Sequence, residues 1–402
     1  MDRRHLLKHT LALPASCLAS RLMAAPMAQP RMLLVFLRGA YDCANLLVPY
    51  SSSFYYESRP NIAIARPDAD SDSPSPAACL SLDATWGLHP VLRDSILPLF
   101  LKGEVAFVPF AGINDLSRSH FETQDSIELG QALGQQRNFR SGFLNRLATV
   151  LGGPGPSRPI SFTDHLPLVF RGDTQVPNLA LKNVGKPGVD ARQAQIITAM
   201  YRDTPLARTV SEGFGVRDEV IRSLSIEMDQ ASRNAISAKG FELEARRIAL
   251  LMREKFNLGF IDVGGWDTHV AQGGATGYLA TRLEELGRGL AAFAQAMGPD
   301  WRDTTVVVVS EFGRTFRENG NRSTDHGHGS VFWVLGGSVK GGRVVGEQVP
   351  LDAAHLFQNR DYPVMNEYRS LLGGLMARQF SLSTNQMDQV FPGVLAQDYG
   401  LL

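Results

Sequence analysis

Thr305-Val306-Val307-Val308-Val309-Ser310-Glu311-Phe312-Gly313-Arg314 decides the reading of this chain. A run of β-branched residues without polar alternation predicts a strand buried on both faces, as at the centre of a parallel sheet. The run ends in a carboxylate, Glu311. The loop beyond it carries Asp325-His326-Gly327-His328-Gly329. A buried strand delivering one carboxylate, followed by a second carboxylate and two imidazoles, meets the requirements of a metal site. Ionised oxygens and neutral imidazole nitrogens suit Zn²⁺, Mn²⁺, Mg²⁺ or Ca²⁺.

Further apolar runs of strand length lie at residues 32–37, 105–110, 259–263 and 331–335, with shorter ones at 160–162 and 168–170. Between them, residues 91–101, 232–256 and 279–297 have apolar residues at helical spacing. Another helix opens at His120, with Ser119 and Glu122 at the spacing of a capping box. Strands alternating with helices predict an α/β protein with a mainly parallel, doubly wound sheet flanked by helices. Residues 31–402 read as a single domain, without internal repeat or boundary. Residues 65–79, rich in Pro, Ser, Asp and Ala, read as an exposed loop.

The beginning of the chain predicts an address. Asp2-Arg3-Arg4-His5-Leu6-Leu7-Lys8 is a twin-arginine pattern, and a short, weakly apolar stretch follows at 11–19. Small residues beyond it offer cleavage near Ala25 or Ala28. Interrupted by Pro14 and Ser16, the stretch is too short to span a bilayer, so residues 1–28 read as an export signal. The expected partner is the twin-arginine translocase, and the expected location is periplasmic or secreted. The chain balances 40 basic against 40 acidic residues, and no basic run speaks for nucleic acid. No apolar run beyond the leader is long enough to cross a membrane. Cys43 and Cys79 are the cysteines left after the leader; one potential pair is no disulfide framework, and no Cys-x-x-Cys motif exists.

Ligands of open α/β sheets bind beyond the carboxyl ends of the strands. Here those exits carry Asp42, the Arg118-Ser119-His120 loop, Asp267 with His269, and Glu311. Singly each residue has an ordinary role: Asp42 and Asp267 as turn residues, Ser119 as an N-cap, His120 as a packed helix residue. Jointly, with Asp325, His326 and His328, they point to a metal-dependent hydrolase.

The ordered set Leu37-Arg38-Gly39-x-x-Asp42-x-x-Asn45, Gly87-Leu88-His89-Pro90, Arg118-Ser119-His120-Phe121, Gly264-Gly265-Trp266-Asp267-Thr268-His269, Ser310-Glu311-Phe312-Gly313-Arg314-Thr315 and Asp325-His326-Gly327-His328-Gly329 resembles an exported bacterial family, domain of unknown function 1501. That family is placed among the alkaline phosphatase and sulfatase-like folds, and the likeness runs from about Met32 to Gly393. The resemblance implies one or two divalent metals bound by Asp42, Asp267, His269, Glu311, Asp325, His326 and His328. It implies a nucleophile at a helix N-terminus, Ser119, with His120 beside it, and guanidinium groups (Arg38, Arg118 or Arg314) for the oxygens of a phosphate or sulfate. The substrate so implied is a small-molecule or glycan ester; the alternative is a non-catalytic metal- or glycan-binding envelope protein that retains the hydrolase fold. Two departures stand out. Glu311-Phe312 replaces the Asp-His that commonly follows this strand in the superfamily, and no Cys-x-Pro-Ser-Arg sulfatase motif is present.

Overall fold

A computed structural model describes residues 30–67, 75–134, 136–152, 157–181, 191–215 and 240–402. The leader and its export signal lie outside the described residues, as does part of the helical stretch expected before residue 256.

The principal sheet has strands β1 (Arg31–Leu37), β5 (Val105–Gly112), β6 (Pro159–Ser161), β7 (Leu258–Val263), β8 (Thr304–Ser310), β9 (Ser330–Gly336), β10 (Arg343–Val344) and β11 (Asn366–Glu367). Its order is β10-β5-β9-β8-β1-β7-β6, with β11 added beside β5. A small antiparallel sheet joins β2 (Leu47–Val48), β3 (Leu80–Ser81) and β4 (Gly87–Leu88). Strand β1, inside the sheet, runs parallel to both neighbours, pairing Leu34 with Val307 of β8 and with Phe260 of β7.

Every residue of β1, β5, β8 and β9 is buried. Their alternate side chains feed two cores: Leu33, Val35 and Leu37 on one face, Met32, Leu34 and Phe36 on the other. The first core is closed by helices Phe241–Glu254 and Tyr278–Met297, the second by Phe143–Leu151, Tyr368–Phe380 and Thr384–Val390. The protein is therefore a mixed α/β structure with a mostly parallel sheet between helical layers, as expected.

Two local expectations are corrected, and one strand direction is added. Residues 168–170 form a 3₁₀ turn, not a strand. The helix expected over 91–101 is a 3₁₀ turn at Pro90–Leu92 followed by a short helix at Ile96–Leu101. Strand β9 runs antiparallel to both β5 and β8; residues 311–329 contain no helix, so the chain returns directly where a parallel connection needs a crossover. Among the described residues, no helix is long and apolar enough to cross a membrane. Cys43 and Cys79 are buried free thiols.

This topology sends the exits of β1, β5, β7 and β8 to one edge. A bulge between Val108 and Ala111, with Phe110 at φ +53°, bends β5 there.

Candidate metal centre

The β8 exit is pressed against the histidine loop. Gly313 N–H donates to the His328 carbonyl and Gly327 N–H to that of Gly313, both at 2.8 Å. A Cβ on Gly313 would stand 1.8 Å from the Gly329 oxygen. The glycines of both motifs thus permit two backbones to touch, which places the side chains of Glu311, Arg314, Asp325 and His326 around one point.

Four groups from three segments converge. The Nε2 atoms of His120 and His326 are 2.9 Å apart, and those of His326 and His269 3.1 Å. Asp267 Oδ1 lies 2.9 Å from His269 Nε2, 3.2 Å from His326 Nε2 and 3.4 Å from His120 Nε2. His120, Asp267 and His326 can each present a ligand atom within 4.8 Å of the other two. The site opens to solvent: the Asp267 side chain is 46% exposed and that of His326 27%.

The other ring nitrogens fix the protonation pattern. His120 Nδ1 faces Glu311 Oε1 at 2.8 Å, His269 Nδ1 faces Asp325 Oδ1 at 3.2 Å, and His326 Nδ1 faces the Arg118 carbonyl at 3.1 Å. Carboxylates and carbonyls only accept, so each Nδ1 carries a proton, and a ring protonated there alone turns its Nε2 lone pair into the cluster. Lone pairs at 2.9 Å repel unless a proton or a metal ion lies between them. Ligands around a tetrahedral zinc ion stand about 3.3 Å apart, given bonds near 2.05 Å, and the separations here bracket that value. Anchoring of the remote nitrogen by carboxylate or carbonyl is the usual support of a metal-bound histidine. The residues therefore fit a divalent ion. With neutral imidazoles, the charges of Asp267, Glu311 and Asp325 exceed that of Arg314 by two.

Glu311 shows how the support is built. Its Oε1 accepts from Gly39 N–H at 2.8 Å, Gln124 Nε2 at 2.9 Å and His120 Nδ1 at 2.8 Å; its Oε2 accepts from Ser310 Oγ at 2.9 Å. Burial would push the carboxyl pKa up, but the His120 and Gln124 hydrogen bonds hold it below the ordinary value. Hydrogen bonding to Glu311 in turn raises the pKa of His120, whereas burial and the neighbouring His120 and Arg314 lower that of His326. Burial also opposes ionisation of Asp267, and Arg314 overcomes it.

Other candidate residues stand apart. Asp42 is fully buried; its Oδ2 accepts from Arg59 Nη1 and Gln272 Nε2, both at 2.6 Å. His328 stacks on Phe357 with ring centroids 4.6 Å apart, and burial lowers its pKa to about 4. Glu311 and Asp325 hold histidine rings. Ser119 occupies the N-cap of the helix His120–Leu129 but makes no side-chain cap bond, so the expected capping box does not form. The Arg118 guanidinium pairs with Asp361 at 2.8 Å, and Arg38 with Asp262 at 2.7 Å and Glu128 at 2.9 Å. Gln124 and Asn319 escaped the sequence reading. Asn319 Nδ2 donates to Asp325 Oδ1 at 3.0 Å. Gln124 follows His120 by one helical turn, and that spacing was the available clue.

A mostly parallel α/β sheet whose strand exits gather imidazoles and carboxylates defines the class of this protein. Within it, the chain belongs to the family described as protein of unknown function (DUF1501), which matches residues 107–391. No curated protein matches the chain. Among solved structures it is similar to one titled "Crystal structure of Ps i-CgsB in complex with k-i-k-neocarrahexaose", at 10% identity and a TM-score of 0.41, covering 89% of this chain and 74% of the other. The structure titled "Crystal structure of Ps i-CgsB" has 9% identity and a TM-score of 0.40 over the same shares. Likenesses of this size carry no argument about activity.

Proposed function

We propose that this chain is an exported, metal-dependent hydrolase of phosphate or sulfate esters, with an alkaline phosphatase-like fold. The observation that carries the reading is the convergence of three Nδ1-anchored imidazoles on Asp267. His120, Asp267, His269 and His326 would hold the ion. When bound, such an ion supplies Lewis acidity to the ester oxygens and lowers the pKa of a nearby nucleophile.

The chain's own groups do the remainder. Glu311, Asp325 and the Arg118 carbonyl keep the protons on the remote ring nitrogens. Ser119 stands at the head of the helix His120–Leu129, where unpaired backbone N–H groups favour an anion. It is the candidate nucleophile, with His120 as the adjoining residue of the chain.

One observation favours the second reading, a non-catalytic envelope protein that binds metal or glycan. The guanidinium groups of Arg38, Arg118 and Arg314 are each taken up by carboxylates within the protein.

Elemental analysis of protein purified without chelator, beside the double variant His269→Ala/His326→Ala, tests the metal. Near-stoichiometric divalent metal in the wild type and none in the variant is expected. Turnover of aryl phosphate or aryl sulfate esters by the loaded wild type then supports the hydrolase. A metal-replete protein inert on both supports the second reading.

A further inference from the structure

Arg314 is the least expected member of the cluster, because a guanidinium beside converging imidazole lone pairs competes with a metal ion. Its side chain is buried and nearly every donor is engaged. Nη2 donates to Asp267 Oδ1 at 2.6 Å, to the Gly39 carbonyl at 3.0 Å and to the Trp266 carbonyl at 3.3 Å. Nη1 donates to the Thr324 carbonyl at 3.2 Å and faces His269 Nε2 at 3.4 Å, while Nε donates to the Ala40 carbonyl. Four backbone carbonyls and a carboxylate around one positive group form an oxygen cage of the kind a hard cation takes.

We propose that the Arg314 guanidinium fills the position of a second cation, so that the centre binds one divalent ion and not two. The inference rests on the metal-centre reading above. The neighbouring carboxylates bear on it. Glu311 already accepts four hydrogen bonds, Asp325 accepts from His269 and Asn319, and Asp42 faces Arg59 and Gln272. Glu311 thus has both oxygens committed, whereas Asp42 keeps one buried oxygen, Oδ1, without a hydrogen-bond partner, so the case for a single ion rests on Arg314 and Glu311. Arg314 is thus a positioning residue: it sets Asp267 against the imidazoles and neutralises one of the three negative charges of Asp267, Glu311 and Asp325.

The test is metal stoichiometry by calorimetric titration and native mass spectrometry on the full chain, with Zn²⁺, Mn²⁺ and Ca²⁺ as probes. One ion per chain, lost in His326→Ala, is expected. Arg314→Lys preserves the charge and should also bind one. Arg314→Ala empties the oxygen cage and should admit a second, oxygen-preferring ion, with Ca²⁺ stoichiometry rising toward two. Two ions in the wild type, both lost in His326→Ala, would overturn the proposal while leaving the metal centre standing; so would a folded Arg314→Ala variant that still binds one. No ion under any condition overturns the metal-centre reading itself. Should Arg314→Ala fail to fold, the wild-type and Arg314→Lys counts still decide between one ion and two.

Discussion

Glu311→Gln isolates the support of the proposed metal centre from its proposed ligands. In the wild type, Oε1 takes three donors, from Gly39, Gln124 and His120, and Oε2 takes the Ser310 hydroxyl. A glutamine side chain can keep its oxygen toward the three donors and turn its amide toward Ser310, whose hydroxyl also reaches the Leu37 carbonyl at 2.7 Å. The shape is retained and the charge is lost. A hydrogen bond to a charged acceptor contributes about 1.5–3 kcal/mol and a neutral one about 0.5–1.5. Three weakened bonds therefore cost about 3 kcal/mol of stability at neutral pH. Loss of an outer partner of a metal-bound histidine typically weakens metal binding 10–100-fold, equivalent to about 1.4–2.7 kcal/mol. Chelator competition gives the affinity, and urea denaturation of the metal-free protein gives the stability. His326→Ala, which removes a proposed ligand, should retain no metal. A Glu311→Gln protein with affinity and stability unchanged within twofold would refute the tautomer argument for His120. One as empty as His326→Ala would make Glu311 a ligand in its own right.

Three further outcomes are expected. Asp42→Asn leaves the buried Arg59 guanidinium facing a neutral partner, and breaking a buried pair costs about 3–5 kcal/mol; a loss below about 1 kcal/mol in denaturant titration would show that the other acceptors of Arg59, Asn45 Oδ1 and the Thr315 and Phe316 carbonyls, suffice. Ser119→Ala should keep its metal and its KM while kcat falls at least tenfold on an ester substrate; an unchanged kcat removes Ser119 as nucleophile. His89 is fully buried, with Nε2 against the Gly274 carbonyl, and burial lowers its pKa to about 4. Because the folded pKa lies below the unfolded one of about 6.5, the unfolded chain binds the proton first. Stability present above pH 6.5 should then decline toward pH 4, by up to about 1.4 kcal/mol per unit from this residue. His89→Gln should flatten that slope in thermal melts between pH 4 and 7.

How far the amino-acid order reveals such a centre depends on the range of the forces involved. The strands were legible because burial on both faces leaves a local mark: β1 and β8 are unbroken apolar runs, and their bounds lie within a residue or so of expectation. The direction of β9 was not, since it depends on a loop holding its chain close to β8, which no run of apolar residues encodes. In the site, residue types were legible and roles were not. Glu311 and Asp325 have the chemistry of ligands, yet each spends its oxygens on an imidazole Nδ1. That division of labour is set by which nitrogen faces which oxygen, across 191 residues for the His120–Glu311 pair and 56 for the His269–Asp325 pair. Asp42 marks the same boundary. Its place after β1 suits a ligand, but Arg59, only 17 residues on and unremarkable in the sequence, takes its carboxylate 2.6 Å away. Sequence shows which groups reach the edge of the sheet; only their pairing separates the groups available to an ion from those that hold the others in place.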